Sequence, residues 1–191
     1  MVLKNVKIKT QGFTLVEILV AVVIFSVVVG IALQVFVLAV GSQRKILARQ
    51  QVLDQISYVL EYMSRALRMA KKDLAGNCLA TAGSMNNYET DATNRIRFLN
   101  YNSKCQEFFL EGGQLKERKS LNGSAANFEV ALSLTSNTVN IPNFKIGPSD
   151  SWDQNDNLQP SVTFFLDIEG KEGVKLQAQT TVSQRNLDVA Y

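Results

Sequence analysis

From Phe13 to Val40 the chain is almost continuously apolar, interrupted only by Thr14, Glu17, Ser26, Gly30 and Gln34. No proline breaks the run. As a helix it would extend roughly 42 Å, more than the ~30 Å of a bilayer's hydrocarbon core. Many of its residues are β-branched, which weakens helix propensity in water. In lipid, backbone groups have no water to bond, so the helix still wins. After Gly41 the pattern changes to a stripe. Leu53, Ile56, Leu60, Met63, Leu67, Ala70 and Leu74 recur in alternating steps of three and four, which predicts an amphipathic helix over 42–75. Gly76-Asn77 supplies the expected stop. The stripe spans only about three heptads, which favours packing on a sheet over a coiled-coil seam.

From residue 76 the helical period disappears. Residues 79–94, LATAGSMNNYETDATN, read as a polar loop. Strand-forming segments follow: RIRFLNY at 95–101, CQEFFLE at 105–111, QLKERKS at 114–120, FEVALSL at 128–134 and TVNIPNFKI at 138–146. Gly112-Gly113 is a two-residue hairpin signal. PSVTFFLDIEG at 160–170 and VKLQAQTTVSQ at 174–184 form a second predicted hairpin. Along the latter, Val174, Leu176, Ala178, Thr180 and Val182 share one face. Strands with one apolar face need a cover, and the stripe supplies it. The predicted class is α+β: a long N-terminal α-helix, membrane half then amphipathic half, packed on a C-terminal antiparallel β-sheet.

Charge sharpens the N-terminal picture. Lys4, Lys7 and Lys9 precede the apolar run and no acid does, so this end should stay cytoplasmic under the positive-inside rule. Without residues 1–12, 17 basic and 17 acidic residues remain. That balance does not favour nucleic acid as a partner. The basic stretch RALRMAKK at 65–72 reads as a solvated helix face. With no histidine, no G-x-S-x-G elbow and no Walker-type loop, the chain has no recognisable catalytic or nucleotide-hydrolysing apparatus, so no enzyme is expected. The two cysteines, Cys78 and Cys105, cannot make a Cys-and-His zinc site. In an exported domain they would either form one disulfide or remain two buried thiols. Asp150, Asp153 and Asp156 in SDSWDQNDN give oxygen ligands at calcium-like density, but not at EF-hand spacing. A solvated loop is the simpler expectation, and no cofactor is otherwise implied. Trp152 in that loop is expected to pack.

Glu17 is the residue that the apolar run does not explain. A carboxylate within a membrane helix costs about 3 kcal/mol and calls for a partner, a proton or a wet position near the headgroups. A secretory signal is cleaved after its apolar region, whereas here the small residue Gly12 comes before it.

A basic leader, Gly12, Phe13, and Glu17 as the fifth residue of a retained apolar helix occur in order. GFTLVEILVAVVIF thereby resembles the N-terminal signature of type IV pilins and type II secretion pseudopilins. The resemblance is specific over residues 10–30. The absence of a proline from the apolar helix resembles a pseudopilin or minor subunit more than a major type IVa pilin. The resemblance implies a pilin-like fold, with a leader at 1–12, a transmembrane and filament-core helix at 13–41, the amphipathic helix at 42–75, and an extracytoplasmic sheet domain at 76–191. It implies cleavage between Gly12 and Phe13 by a separate prepilin peptidase, then N-methylation of Phe13. It also implies that Glu17 pairs with the Phe13 amine of an adjacent subunit and so sets the axial register. The implied partners are the peptidase, other pilin or pseudopilin subunits, membrane lipid before assembly, and a membrane assembly platform driven by a separate ATPase. The implied location is a single-pass cytoplasmic membrane protein, then an extracellular or periplasmic filament. Two other roles fit the same segment: a tip-located minor pilin that binds DNA or a surface, and a signal-anchored domain that never polymerises.

Overall fold

The computed structural model describes residues 12–79, 86–90, 94–152 and 158–185. The lysines of the leader lie outside this set, as do Asp153 and Asp156. The chain divides into two compact units, 1–44 and 45–191. In the first, residues 15–44 are helical throughout, and their large apolar side chains are exposed. They form the first part of α1, Leu15–Arg68.

The second unit holds the rest of α1 and two antiparallel sheets. The first sheet has order β1-β2-β3-β4-β5, with β1 Tyr88–Thr90, β2 Arg95–Leu99, β3 Cys105–Glu111, β4 Gln114–Lys119 and β5 Leu132–Ser133. The second has order β6-β7-β8, with β6 Asn140–Gly147, β7 Ser161–Glu169 and β8 Lys175–Ser183. The α+β layout of a long helix followed by antiparallel strands is thus present, with the strands divided between two sheets. The sheets meet near the β3–β4 hairpin, where the Ile141 N–H donates to the Gly113 carbonyl at 2.8 Å. That hairpin turns through Gly112 and Gly113 at φ 61° and 73°, the left-handed pair a type I′ turn requires.

One apolar core joins helix and sheets. Val52, Val59, Met63 and Leu67 of α1 pack with Ile96, Phe98, Phe108, Leu115 and the buried alternate residues Val162, Phe164, Leu166 and Ile168 of β7. Each large side chain so buried contributes about 1.5–3 kcal/mol. The buried face of the helix is rotated from the predicted stripe. Val52 rather than Leu53 faces inward, and Ile56 and Leu60 flank the contact. At Gly170, between β7 and β8, the backbone approaches so closely that an added Cβ would lie 2.3 Å from Val52 Cγ2. A glycine there lets the hairpin end reach the helix, and Val52 fills the space.

Four predicted elements come out differently. The helix stops at Arg68, short of residue 75, and Leu74 is 71% exposed. Stronger partners claim the backbone beyond it: the Lys71 N–H bonds to the Leu99 carbonyl at 2.8 Å, and the Asp73 carboxylate accepts the N–H groups of Gly76, Cys78 and Leu79. Within the polar stretch read as loop, Tyr88–Thr90 forms β1. Tyr88 is fully buried, bonded through its hydroxyl to the Leu67 carbonyl and packed against Phe98 and Trp152. Of 128–134, only Leu132 and Ser133 join a strand, because Phe128 is drawn instead over the outer face of the first sheet. There it covers Glu107, which is fully buried between Arg97 and Arg118 at matched register on β2, β3 and β4. In 138–146, β6 begins at Asn140 and is irregular between Asn140 and Asn143, beside Pro142, which has no N–H for the ladder.

Candidate processing and assembly segment

The functional candidates sit at the start of α1. Gly12, Phe13 and Thr14 precede its first turn in non-helical conformation, and Phe13 is 76% exposed. Glu17 lies in that first turn. Its N–H donates to Thr14 Oγ1 at 3.3 Å, and the Ile18 N–H reaches the Thr14 carbonyl at 3.3 Å. Thr14 is therefore the N-cap, and Glu17 is the third residue after it. A helix N-terminus has about half a positive charge's worth of unsatisfied N–H groups, which favours a carboxylate here even before any partner arrives. Thr14 was the member of this constellation that the sequence reading missed. The signal was present in T-L-V-E, which has the spacing of a capping box.

The Glu17 side chain is exposed and has no hydrogen-bond or ion-pair partner among the described residues. The apolar part of α1 is long and hydrophobic enough to cross a membrane, with a mean hydropathy of 2.9 over its most apolar stretch and none of that stretch buried. Its one hydroxyl, Ser26, bonds back to the Val22 carbonyl at 2.8 Å, so it presents no free donor to an apolar surrounding.

The other candidates are placed as follows. Cys78 and Cys105 form a disulfide, with Cα atoms 5.3 Å apart, and among the described residues no cysteine is free. The bridge is buried in a small second core with Leu79, Leu99 and Phe128, and it ties the segment after the helix to β3. Asp150 is exposed, while Asp153 and Asp156 lie outside the described residues. Among the described residues no group of three acidic, His or Cys side chains is placed to hold a metal ion. Trp152 is buried and donates from Nε1 to the Ser161 carbonyl at 2.7 Å, a packing role.

One further polar cluster faces the helix. Glu117 on β4 accepts from the Tyr62 hydroxyl at 2.8 Å, from Gln106 Nε2 at 2.6 Å and from Lys119 Nζ at 2.8 Å. Burial raises the Tyr62 phenol above its ordinary pKa. For Lys119, burial pulls the pKa down, but the bonds to Glu117 and Tyr62 outweigh it and the net shift is upward. This is a closed structural network rather than a reactive site.

Residues 7–33 match the prokaryotic N-terminal methylation motif family. No curated protein and no solved structure matches the chain. The matched range includes Gly12, Phe13, Thr14 and Glu17 and runs well into the apolar helix. The N-terminal segment is therefore of the type IV prepilin kind, and it runs into an apolar helix, one among the described residues, that is suited to membrane anchoring. The motif itself implies processing by a prepilin peptidase and assembly with other pilins.

Proposed function

We propose that this chain is a structural subunit of a type IV pilus-like or type II secretion filament. It is inserted in the cytoplasmic membrane as a precursor with its basic leader, residues 1–12, on the cytoplasmic side. Cleavage between Gly12 and Phe13 leaves an amine on Phe13, which is then methylated. The subunit is extracted from the membrane and polymerises through residues 13–41, with the sheet domain outside. It performs no catalysis of its own. Extraction is driven by a separate ATPase through a membrane platform.

Glu17 supplies the register in this scheme. Its carboxylate is unpaired among the described residues, and the new Phe13 amine is the cation at nearly the same depth. Pairing between neighbouring subunits neutralises both charges and fixes the axial offset as each subunit is added. Dispersion contacts along the apolar helix then hold a dry bundle.

The observation that supports this reading best is the coincidence of the methylation-motif match at residues 7–33 with an apolar helix whose large side chains are exposed among the described residues. Intact-mass and N-terminal peptide analysis of the protein from its native membrane tests it. A chain beginning at N-methylated Phe13 is expected. An uncleaved N-terminus beginning before Gly12 would leave a signal-anchored domain instead.

A further inference from the structure

Within the unit 45–191, the C-terminal part of α1 and the β2–β3 turn enclose an open groove of about 780 Å³, in the size range of small-ligand sites. Its walls are aromatic. Tyr58 and Tyr62, one helical turn apart, lie nearly parallel at 10° with ring centroids 6.0 Å apart. Across from them the turn contributes Tyr101. Tyr58 and Tyr101 remain 58% and 59% exposed, and neither hydroxyl has a partner among the described residues. The turn wall is held in place. Asn100 Oδ1 accepts the N–H groups of Asn102 and Lys104, and Ser103 takes a left-handed conformation at φ 58°. The floor is the Glu117 network, already satisfied through Gln106, Tyr62 and Lys119.

The charge left over is positive. Lys119 is neutralised by Glu117, and on the rim Arg65 by Glu61 at 2.6 Å. Lys104 lines the groove and has no acidic partner among the described residues. Lys71, just outside the lining, bonds the Ser103 hydroxyl at 3.4 Å and has no acidic partner among the described residues. The free groups are thus flat ring faces, phenol hydroxyls, the Asn102 amide and ammonium groups.

We propose that this groove binds a carboxylate-bearing saccharide. A pyranose ring has an apolar C–H face that stacks on a tyrosine and an equatorial belt of hydroxyls that bond to phenols and amides. A uronic-acid carboxylate meets Lys104 and Lys71. An extended acidic peptide fits less well, because among the described residues neither edge strand of the first sheet, β1 or β5, lines the groove to take up its backbone groups. A nucleic acid strand brings a phosphate at every nucleotide, more charge than two free lysines match. The site does not depend on polymerisation.

The test uses the full chain in detergent micelles with its disulfide intact. It is titrated by calorimetry and tyrosine fluorescence with oligogalacturonate and hyaluronan tetrasaccharides, and with maltotetraose and chitotetraose as neutral counterparts. Saturable binding of an acidic probe over the neutral ones is expected. Tyr58→Ala, Tyr101→Ala and Lys104→Ala should each weaken it at least about tenfold, with Lys104→Arg retaining most of it. Tyr58 and Tyr101 are exposed and Lys104 is half-buried with no acidic partner among the described residues, so thermal melting should change little. The proposal fails if neither acidic saccharide binds, if the variants bind as the parent does, or if polyglutamate or a single-stranded oligonucleotide binds more tightly at the same residues.

Discussion

At the scale of single residues, position along the helix decides what a carboxylate can do. Glu17 lies in the first turn, capped by Thr14, where the helix N-terminus favours negative charge. Its cost in an apolar setting is reduced locally and, in the proposed filament, cancelled by a neighbour's Phe13 amine. Glu17→Ala should therefore leave membrane insertion and leader cleavage intact while incorporation into filaments falls severalfold. Quantifying the variant in sheared filament fractions against total membrane protein checks this, and parental incorporation would remove the pairing argument. Glu107 is the opposite case, a carboxylate the fold itself satisfies. It is fully buried between Arg97 and Arg118. Glu107→Gln leaves Arg118 without its anion and Arg97 with its longer contact to Glu89 at 3.6 Å, and should cost about 1–3 kcal/mol, read as a lower denaturation midpoint. Neither neighbour was visible from the local sequence, since Arg97 and Arg118 come alongside Glu107 only through strand register.

At the scale of elements, legibility followed the regularity of the pattern. Cys105–Glu111 and the Gly112-Gly113 turn were read from local chemistry alone, and β7 and β8 differ from their predicted spans by one residue at each end. The alternation of Val162, Phe164, Leu166 and Ile168 is strong enough to declare its own buried face. β1 was not legible, because three residues in a polar stretch carry no period. Tyr88 is fixed by its cross-strand partner Phe98 and by contacts with Leu67 and Trp152, which are distant in sequence. The helix end was misplaced for a related reason: the stripe continues past Arg68, but the backbone there is captured by β2 and by Asp73. The contact of Val52 with Gly170 was equally invisible, and it can be tested. Gly170→Ala should destabilise by about 1–3 kcal/mol through overpacking. Adding Val52→Ala should recover part of that loss, read as non-additive midpoints in a double-mutant cycle. Additive effects would show that the hairpin end and the helix do not press on each other.

At the scale of the whole molecule, stability should fall at alkaline pH. Burial raises the Tyr88 phenol well above its ordinary value, burial raises Tyr62, and Lys119 is raised because its bonds to Glu117 and Tyr62 outweigh the effect of burial. A group whose folded pKa lies above its unfolded value contributes fully below the unfolded pKa. That contribution is lost as pH rises through the folded one. All three act in the same direction, so the melting temperature should decline above about pH 10, where free tyrosine and lysine begin to lose protons. Melting curves from pH 8 to 11 measure it, and Tyr88→Phe should flatten the decline. A melting temperature that stays level across that range would show these groups unperturbed.

The sequence by itself determined the N-terminal segment, because a membrane-length apolar run, its basic flank, Gly12 and Glu17 are legible from local order and the physics of lipid as a solvent. It also determined the antiparallel strands with strong alternation and left the two cysteines with two readings, one of which is the observed bridge. Tertiary structure alone decided the division into two sheets, the rotation of the helix face to Val52, the burial of Glu107 and the tyrosine-lined groove. Each of those depends on groups brought together across long stretches of sequence, where packing and backbone hydrogen bonding outweigh local propensity.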